Sequence, residues 1–96
     1  MPAYETVFAV PAVLSEEEQS QSIREVEELI REAGGNIVSS EQMGERKMAY
    51  IVKGHERAYY YLIKFDSPPE KIDGFKRHYR INSNRYIRNI IVKEEA

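Results

Sequence analysis

Few residues of this 96-residue chain have the types and spacing that catalysis or metal binding requires. There is no cysteine, and the two histidines, His55 and His78, are not accompanied by a nucleophile or a carboxylate motif. We therefore expect both histidines to be solvated surface residues rather than catalytic ones. The acidic run Glu16–Glu18 is explained by helix capping, and no glycine pattern for phosphate binding is present. The sequence therefore predicts no enzyme, no metal site and no cofactor.

Charge is distributed unevenly along the chain. Residues 1–45 carry ten acidic and two basic side chains, whereas residues 46–96 carry six acidic and twelve basic ones, and the formal net charge is −2. Such asymmetry indicates one face for a polyanion and another that is merely solvated. An exposed acidic helix with scattered basic residues would give the same totals.

Basic and aromatic residues are concentrated in GERKMAYIVKGHERAYYYLIKF, residues 44–65. Cations neutralise phosphates and aromatic rings accept unpaired bases, so this combination is typical of a nucleic-acid surface. Two other interpretations fit the same residues. Charges on an edge strand prevent aggregation, and alternate tyrosines on a strand are often core partners. The candidate RNA-binding residues are Arg46, Lys47, Lys53, Arg57, Arg85 and Arg88.

Runs rich in β-branched and aromatic residues predict four strands that carry these side chains. The second strand is expected to be bent or bulged near Gly44, and residues 53–57 are expected to form a hairpin tip. The predicted strands span residues 4–10, 36–53, 57–65 and 85–93.

Capping signals predict two helices. The first spans 16–33, begins at a capping box of Ser15 and Glu18, and ends at a glycine pair. The second is expected to begin at a Ser67 cap, with Pro68 in its first turn and Glu70 completing a second capping box.

The resulting order, β-α-β-β-α-β, predicts an α+β ferredoxin-like fold. Two right-handed crossovers would place both helices on one face of a four-stranded antiparallel sheet, with the first and third strands central. The other face would lack helices. We expect one domain over 1–96, with 94–96 a frayed tail. The sequence contains no signal peptide and no bilayer-spanning run, so no membrane association is predicted.

The RNA-recognition motif shares this topology, but its third-strand signature fits poorly here. The corresponding segment is RAYYYLIK, in which Arg57, Tyr59 and Tyr61 agree with the signature. Ala58, Tyr60 and Lys64 depart from it.

Three motifs in order along nearly the whole chain resemble the bacterial small-subunit ribosomal protein six family. The start, M-x-x-YE, is carried by Met1, Tyr4 and Glu5. The central G-x-R-K/R-x-AY is carried by Gly44, Arg46, Lys47, Ala49 and Tyr50. The end, RI-x-x-N…R…VK, is carried by Arg80, Ile81, Asn84, Arg88, Val92 and Lys93.

This resemblance implies a structural role in the small ribosomal subunit, in the cytoplasm. Members of the family pair with small-subunit ribosomal protein eighteen as a heterodimer, and the pair binds the central domain of the small-subunit ribosomal RNA and aids platform assembly. No small-molecule substrate is implied. The family's partner surface involves the second-strand region, so the positions carried over are Glu41, Arg46, Lys47, Met48 and Tyr50.

An alternative of a different class is a ferredoxin-like small-molecule sensor or enzyme that dimerises through its sheet. A stable homodimer that binds no RNA would favour it. The acidic net charge instead predicts weak RNA binding by the chain alone and cooperative binding with a basic partner.

Overall fold

The computed structural model describes residues 1–95, and the chain follows the predicted β-α-β-β-α-β order. A short 3-10 turn over Pro69–Lys71 precedes the second helix. The strands are β1 (Ala3–Pro11), β2 (Asn36–Val52), β3 (His55–Asp66) and β4 (Arg88–Lys93), and the helices are α1 (Glu16–Glu32) and α2 (Ile72–Ile81).

The four strands form one antiparallel sheet in the order β2-β3-β1-β4. β1 and β3 are therefore central, as expected, and the 17-residue β2 lies at an edge. Both helices pack on one face, where Val26 and Ile30 of α1 and Phe75 and Tyr79 of α2 join the main core cluster. The ferredoxin-like fold predicted from the sequence is confirmed.

Helix α1 begins where the sequence predicted. The Glu18 backbone N–H donates to Ser15 Oγ at 3.2 Å, and the Ser15 backbone N–H donates to Glu18 Oε1 at 3.2 Å. This reciprocal capping box satisfies two backbone donors that a helix start leaves unpaired. The helix ends before Gly34, whose φ of +84° is strained for other residues.

Helix α2 does not begin as predicted. The Ser67 hydroxyl donates to the Pro68 carbonyl at 3.1 Å and caps nothing, so the second capping box is wrong. Pro68 instead precedes the 3-10 turn Pro69–Lys71, from which α2 continues. Two consecutive prolines lack backbone N–H groups, so a side-chain cap has fewer donors to satisfy.

The β2–β3 hairpin is tighter than predicted. Val52 pairs with His55, so the turn contains only Lys53 and Gly54, with φ values of +50° and +81°. Two successive positive φ values match the right-handed twist of a hairpin.

At the other end of the chain, β4 begins at Arg88, which leaves Arg85 in the preceding loop.

The core between sheet and helices is aromatic. Phe8 lies at its centre, with ring centroids of Tyr61, Tyr79 and Tyr86 within 5.9 Å. Thr6 is buried beside it, and its Oγ1 lies 2.7 Å from the Tyr79 hydroxyl and donates to the Ile90 carbonyl at 2.9 Å. This bond pair joins β1, α2 and β4.

The predicted tail lies only in part within the described residues. The backbone N–H of Glu94 donates to the Ala3 carbonyl at 2.8 Å, which extends the β1–β4 ladder by one bond. Glu95 has no regular structure, and Ala96 lies outside the described residues. None of the helices in residues 1–95 has the length and apolar character needed to cross a bilayer.

Candidate nucleic-acid interface

Two of the six predicted RNA-binding residues are engaged in ion pairs. Arg57 Nε donates to Glu45 Oε1 at 2.9 Å on the β2–β3 ribbon. Arg85 Nη1 pairs with Glu25 Oε2 of α1, on the helix-covered side of the sheet. The Arg57 pair is largely exposed and weak, whereas the Arg85 pair is two-thirds buried and also contacts the Tyr86 hydroxyl.

The other four cations have no salt bridge to any of the described residues 1–95. Arg46 and Lys47 are exposed on β2, and Arg46 Nη2 reaches only the Met43 carbonyl, at 3.5 Å. Lys53 lies in the hairpin turn and Arg88 begins β4. A phosphate can approach these four without displacing a carboxylate.

The residues after Lys47 leave the regular ladder. Lys47 pairs with Arg57 and the next recorded pair is Val52 with His55, so four β2 residues oppose a single β3 residue. A bulge of this size bends the strand sharply. The bend predicted near Gly44 is confirmed, because a register shift occurs there at φ +90°. The irregularity after Lys47 and a further register shift between Ile37 and Ser39 were not predicted.

The bulged segment covers part of the sheet face that was expected to be open. Met48 is 6 % exposed and packs with Ala9, Ala58 and Ile87 in a second small core. Met48 was predicted to contact a partner, and this prediction needs correction because its side chain is inside the fold. It anchors the segment whose neighbouring side chains are exposed.

Tyr50 and Arg88 come together at the end of this segment. The Arg88 guanidinium lies 5.7 Å from the Tyr50 ring centroid, and Nη1 donates to the phenol oxygen at 3.4 Å. That hydrogen bond raises the pKa of Arg88 above its ordinary value. Nearby, Lys53 Nζ donates to Ser83 Oγ at 3.4 Å, so the hairpin turn meets the loop before β4.

The three consecutive tyrosines of β3 divide between the two faces of the sheet, as strand alternation requires. Tyr59 and Tyr61 face the helices and pack on the main core, and burial raises the pKa of Tyr61. Tyr60 lies on the helix-free face and is half-buried. Of the two tyrosines that match the RNA-recognition signature, Tyr61 is therefore a core residue and Tyr59 packs against the core, while Tyr60 lies partly exposed on the opposite face.

The two histidines lie in different elements of the fold. His78 lies against the rings of Tyr79 and Tyr86, at centroid distances of 6.2 and 5.2 Å, and burial lowers its pKa below the ordinary 6.5. His55 begins β3, far along the chain from it. In the part of the chain that the structure describes, no three His, Cys, Asp or Glu side chains cluster to hold a metal ion.

Comparison with known proteins identifies the family. The sequence model described as "Ribosomal protein S6" matches residues 3–93, almost the whole chain. The chain belongs to the ribosomal protein S6 family. Small ribosomal subunit protein bS6 of a Nitratiruptor species is 37% identical over all 96 residues, which span 74% of that protein. The bS6 protein of Helicobacter pylori is 40% identical over the same residues and 67% of its length.

A solved structure gives the same result. The crystal structure of 30S ribosomal protein S6 from Thermotoga maritima superposes with a TM-score of 0.89 at 26% identity, covering 97% of this chain and 87% of that one. The predicted resemblance is thus confirmed. As a member of the S6 family, the chain is a small-subunit ribosomal protein, associated with ribosomes in the cytoplasm, and its relatives are structural proteins rather than enzymes. The alternative of a sensor or enzyme finds no support among them.

Proposed function

We propose that this chain binds the central domain of the small-subunit ribosomal RNA together with small-subunit ribosomal protein eighteen, and thereby aids assembly of the platform. The observation that carries the proposal is the set of cations without carboxylate partners among residues 1–95, along residues 46–53 and at the start of β4. Arginine and lysine in this state can neutralise phosphates directly. The members of the set are Arg46, Lys47, Lys53 and Arg88.

A basic partner is part of the proposal because the cations of this chain are few. Its formal net charge is −2, and the first turn of α1 alone carries three glutamates. Four phosphate contacts give only modest affinity at physiological salt, and the acidic helix repels a polyanion. A partner that supplies further cations raises the affinity of both proteins for the RNA, by linkage.

The partner surface is proposed on the exposed edge of β2. Glu41, Arg46 and Lys47 are exposed there, and within residues 1–95 no strand pairs with the outer side of this edge. Tyr50 is exposed as well, but it lies beside Arg88 of β4 and would join the partner surface from the helix-free face. Glu41 lies opposite Leu62 in the ladder, on the side of the helix-free face. Both signs of charge on one edge suit a partner that is basic but carries some acidic groups.

A titration of the partner protein tests this surface. We expect Arg46→Glu with Lys47→Glu to retain the circular dichroism spectrum and to weaken pairing at least tenfold by calorimetry. The matched control is Arg24→Glu with Arg77→Glu, two exposed helix positions with the same total charge change. Equal pairing by both variants would remove the β2 edge from the interface.

A further inference from the structure

The helix-free face holds a row of three residues across the central strands. Ala9 of β1 pairs with Tyr60 of β3 on one side and with Arg88 of β4 on the other. Two strand spacings separate the tyrosine from the arginine, about 10 Å. The next row, on the side away from the bulge, is Leu62, Val7 and Ile90.

Between these rows lies a shallow depression of about 310 Å³. Val7 and Ile90 give it an apolar floor, while Tyr60 and Arg88 form two of its walls. Ile90 is 55 % exposed, which leaves apolar surface at this point uncovered. None of the bulged residues 48–51 lines this depression, and Met48 packs with Ala9 instead.

Arg88 contacts an aromatic side chain and has no acidic partner within residues 1–95. Its guanidinium lies 5.7 Å from the Tyr50 ring centroid and donates to the phenol oxygen at 3.4 Å, and no carboxylate within residues 1–95 forms a salt bridge with it. A guanidinium stacked on an aromatic ring loses less freedom when it binds a ligand. The site thus combines an aromatic wall, an apolar floor and an anchored positive charge.

We propose that this depression receives the base of one unpaired nucleotide, which stacks on Tyr60 while Arg88 binds its phosphate. The inference rests on the proposed RNA-binding function and specifies that the chain recognises RNA with an unpaired nucleotide. An apolar depression with an aromatic wall can bind the flat face of a base. That face is accessible only when the base is not stacked in a duplex. The positive rim matches a polyanion and disfavours a basic peptide, which would meet an uncompensated like charge.

Fluorescence of an RNA probe tests the stacking. The probe is a short hairpin with one unpaired 2-aminopurine, and its control is the same hairpin with that position paired. With both ribosomal proteins present, we expect quenching of the unpaired probe and weaker binding of the paired one. Tyr60→Phe retains the quenching, whereas Tyr60→Leu abolishes it and weakens binding about 5- to 150-fold, the range for loss of one base–aromatic stack.

Arg88→Gln separates charge from stacking. We expect it to weaken binding of both hairpins and to reduce the slope of log affinity against log salt by about 1, whereas Tyr60→Leu leaves the slope unchanged. Circular dichroism establishes that each variant folds. The comparison of unpaired and paired hairpins with the wild-type protein tests the stacking even if a variant does not fold.

Several outcomes would overturn the inference. One such outcome is equal binding of paired and unpaired hairpins without quenching, while Arg88→Gln still weakens the binding of both. It would refute binding of a base in the depression and leave the RNA-binding proposal intact. Loss of protein pairing rather than RNA binding in Tyr60→Leu would make the depression a protein contact. If the two proteins together bind no RNA, both the proposed function and the binding of a base in the depression are refuted.

Discussion

Arg85 and Glu25 form an ion pair that joins the loop before β4 to helix α1. The Tyr86 hydroxyl lies 3.1 Å from the same carboxylate oxygen and donates to the Ser22 carbonyl at 2.8 Å. The pair therefore has a structural explanation, and we expect Arg85 to contribute less to RNA binding than the cations without a carboxylate partner among residues 1–95.

This assignment predicts that Arg85→Gln lowers stability more than it lowers RNA affinity. Both side chains are about one-third exposed, so a double-mutant cycle with Glu25→Gln should give a coupling of about 1 kcal/mol in urea unfolding. Arg88→Gln is the matched control, and we expect it to lower RNA affinity more than it lowers stability. A larger RNA defect in Arg85→Gln than in Arg88→Gln would return Arg85 to the interface.

Thr6 is the buried polar residue on which three elements meet, and its removal should be costly. Thr6→Val has nearly the same shape but leaves the Ile90 carbonyl and the Tyr79 hydroxyl without their partner. We expect a loss of about 1–3 kcal/mol in the free energy of unfolding. Tyr79→Phe added to Thr6→Val should recover part of it, because one unpaired group is then gone. No recovery in the double variant would contradict the account.

Two glycines should respond to alanine with opposite signs. A Cβ at Gly74, in α2, would meet no atom within 4 Å, so Gly74→Ala should stabilise the protein by about 0.5–1 kcal/mol. A Cβ at Gly35 would lie 2.6 Å from the Asp66 carbonyl oxygen, and Gly35→Ala should destabilise it by about 1–3 kcal/mol. Thermal unfolding of both variants is sufficient, and a shared sign would show that one environment is misjudged.

His78 should give the protein a loss of stability on mild acidification. Burial lowers its pKa below 6.5, Arg85 acts in the same direction, and Glu25 opposes them, while Tyr79, Tyr86 and Asn82 present no charge to the ring. Below pH 6.5 the unfolded chain binds this proton before the folded chain does, so stability falls as the pH falls towards the folded-state pKa, then levels off.

His78→Phe keeps an aromatic ring and removes the titration. Urea midpoints measured across this pH range should fall for the wild-type protein and fall less for the variant. Parallel curves would mean that the proton on His78 is bound equally in both states.

The elements of this fold follow from local sequence rules, and the errors arise where tertiary contacts decide. The two-residue alternation of a strand predicts Tyr59 and Tyr61 on one face of β3 and Tyr60 on the other, which is what the sheet shows. The capping box at Ser15 was equally local and correct. At Ser67 the same four-residue pattern fails, because the prolines after it move the helix start to the 3-10 turn.

The candidate site was predictable in its residue types and less so in its geometry. Arg46, Lys47, Lys53 and Arg88 stand out by charge alone, but nothing local reveals that Arg57 and Arg85 have carboxylate partners 12 and 60 residues away. Met48 looked like any other strand residue. Its packing against Ala9 of β1 and the contact of Tyr50 with Arg88 of β4 occur in the large bulge after Lys47, which no local pattern indicates.

Joint binding of ribosomal RNA by this chain and a basic partner can be measured in a gel-shift titration at fixed salt. The RNA is a central-domain fragment of the small-subunit ribosomal RNA, titrated with each protein alone and with both together. We expect weak binding by this chain alone and an increase in affinity of tenfold or more when small-subunit ribosomal protein eighteen is present. Tight binding by this chain alone, unchanged by the partner, would contradict it.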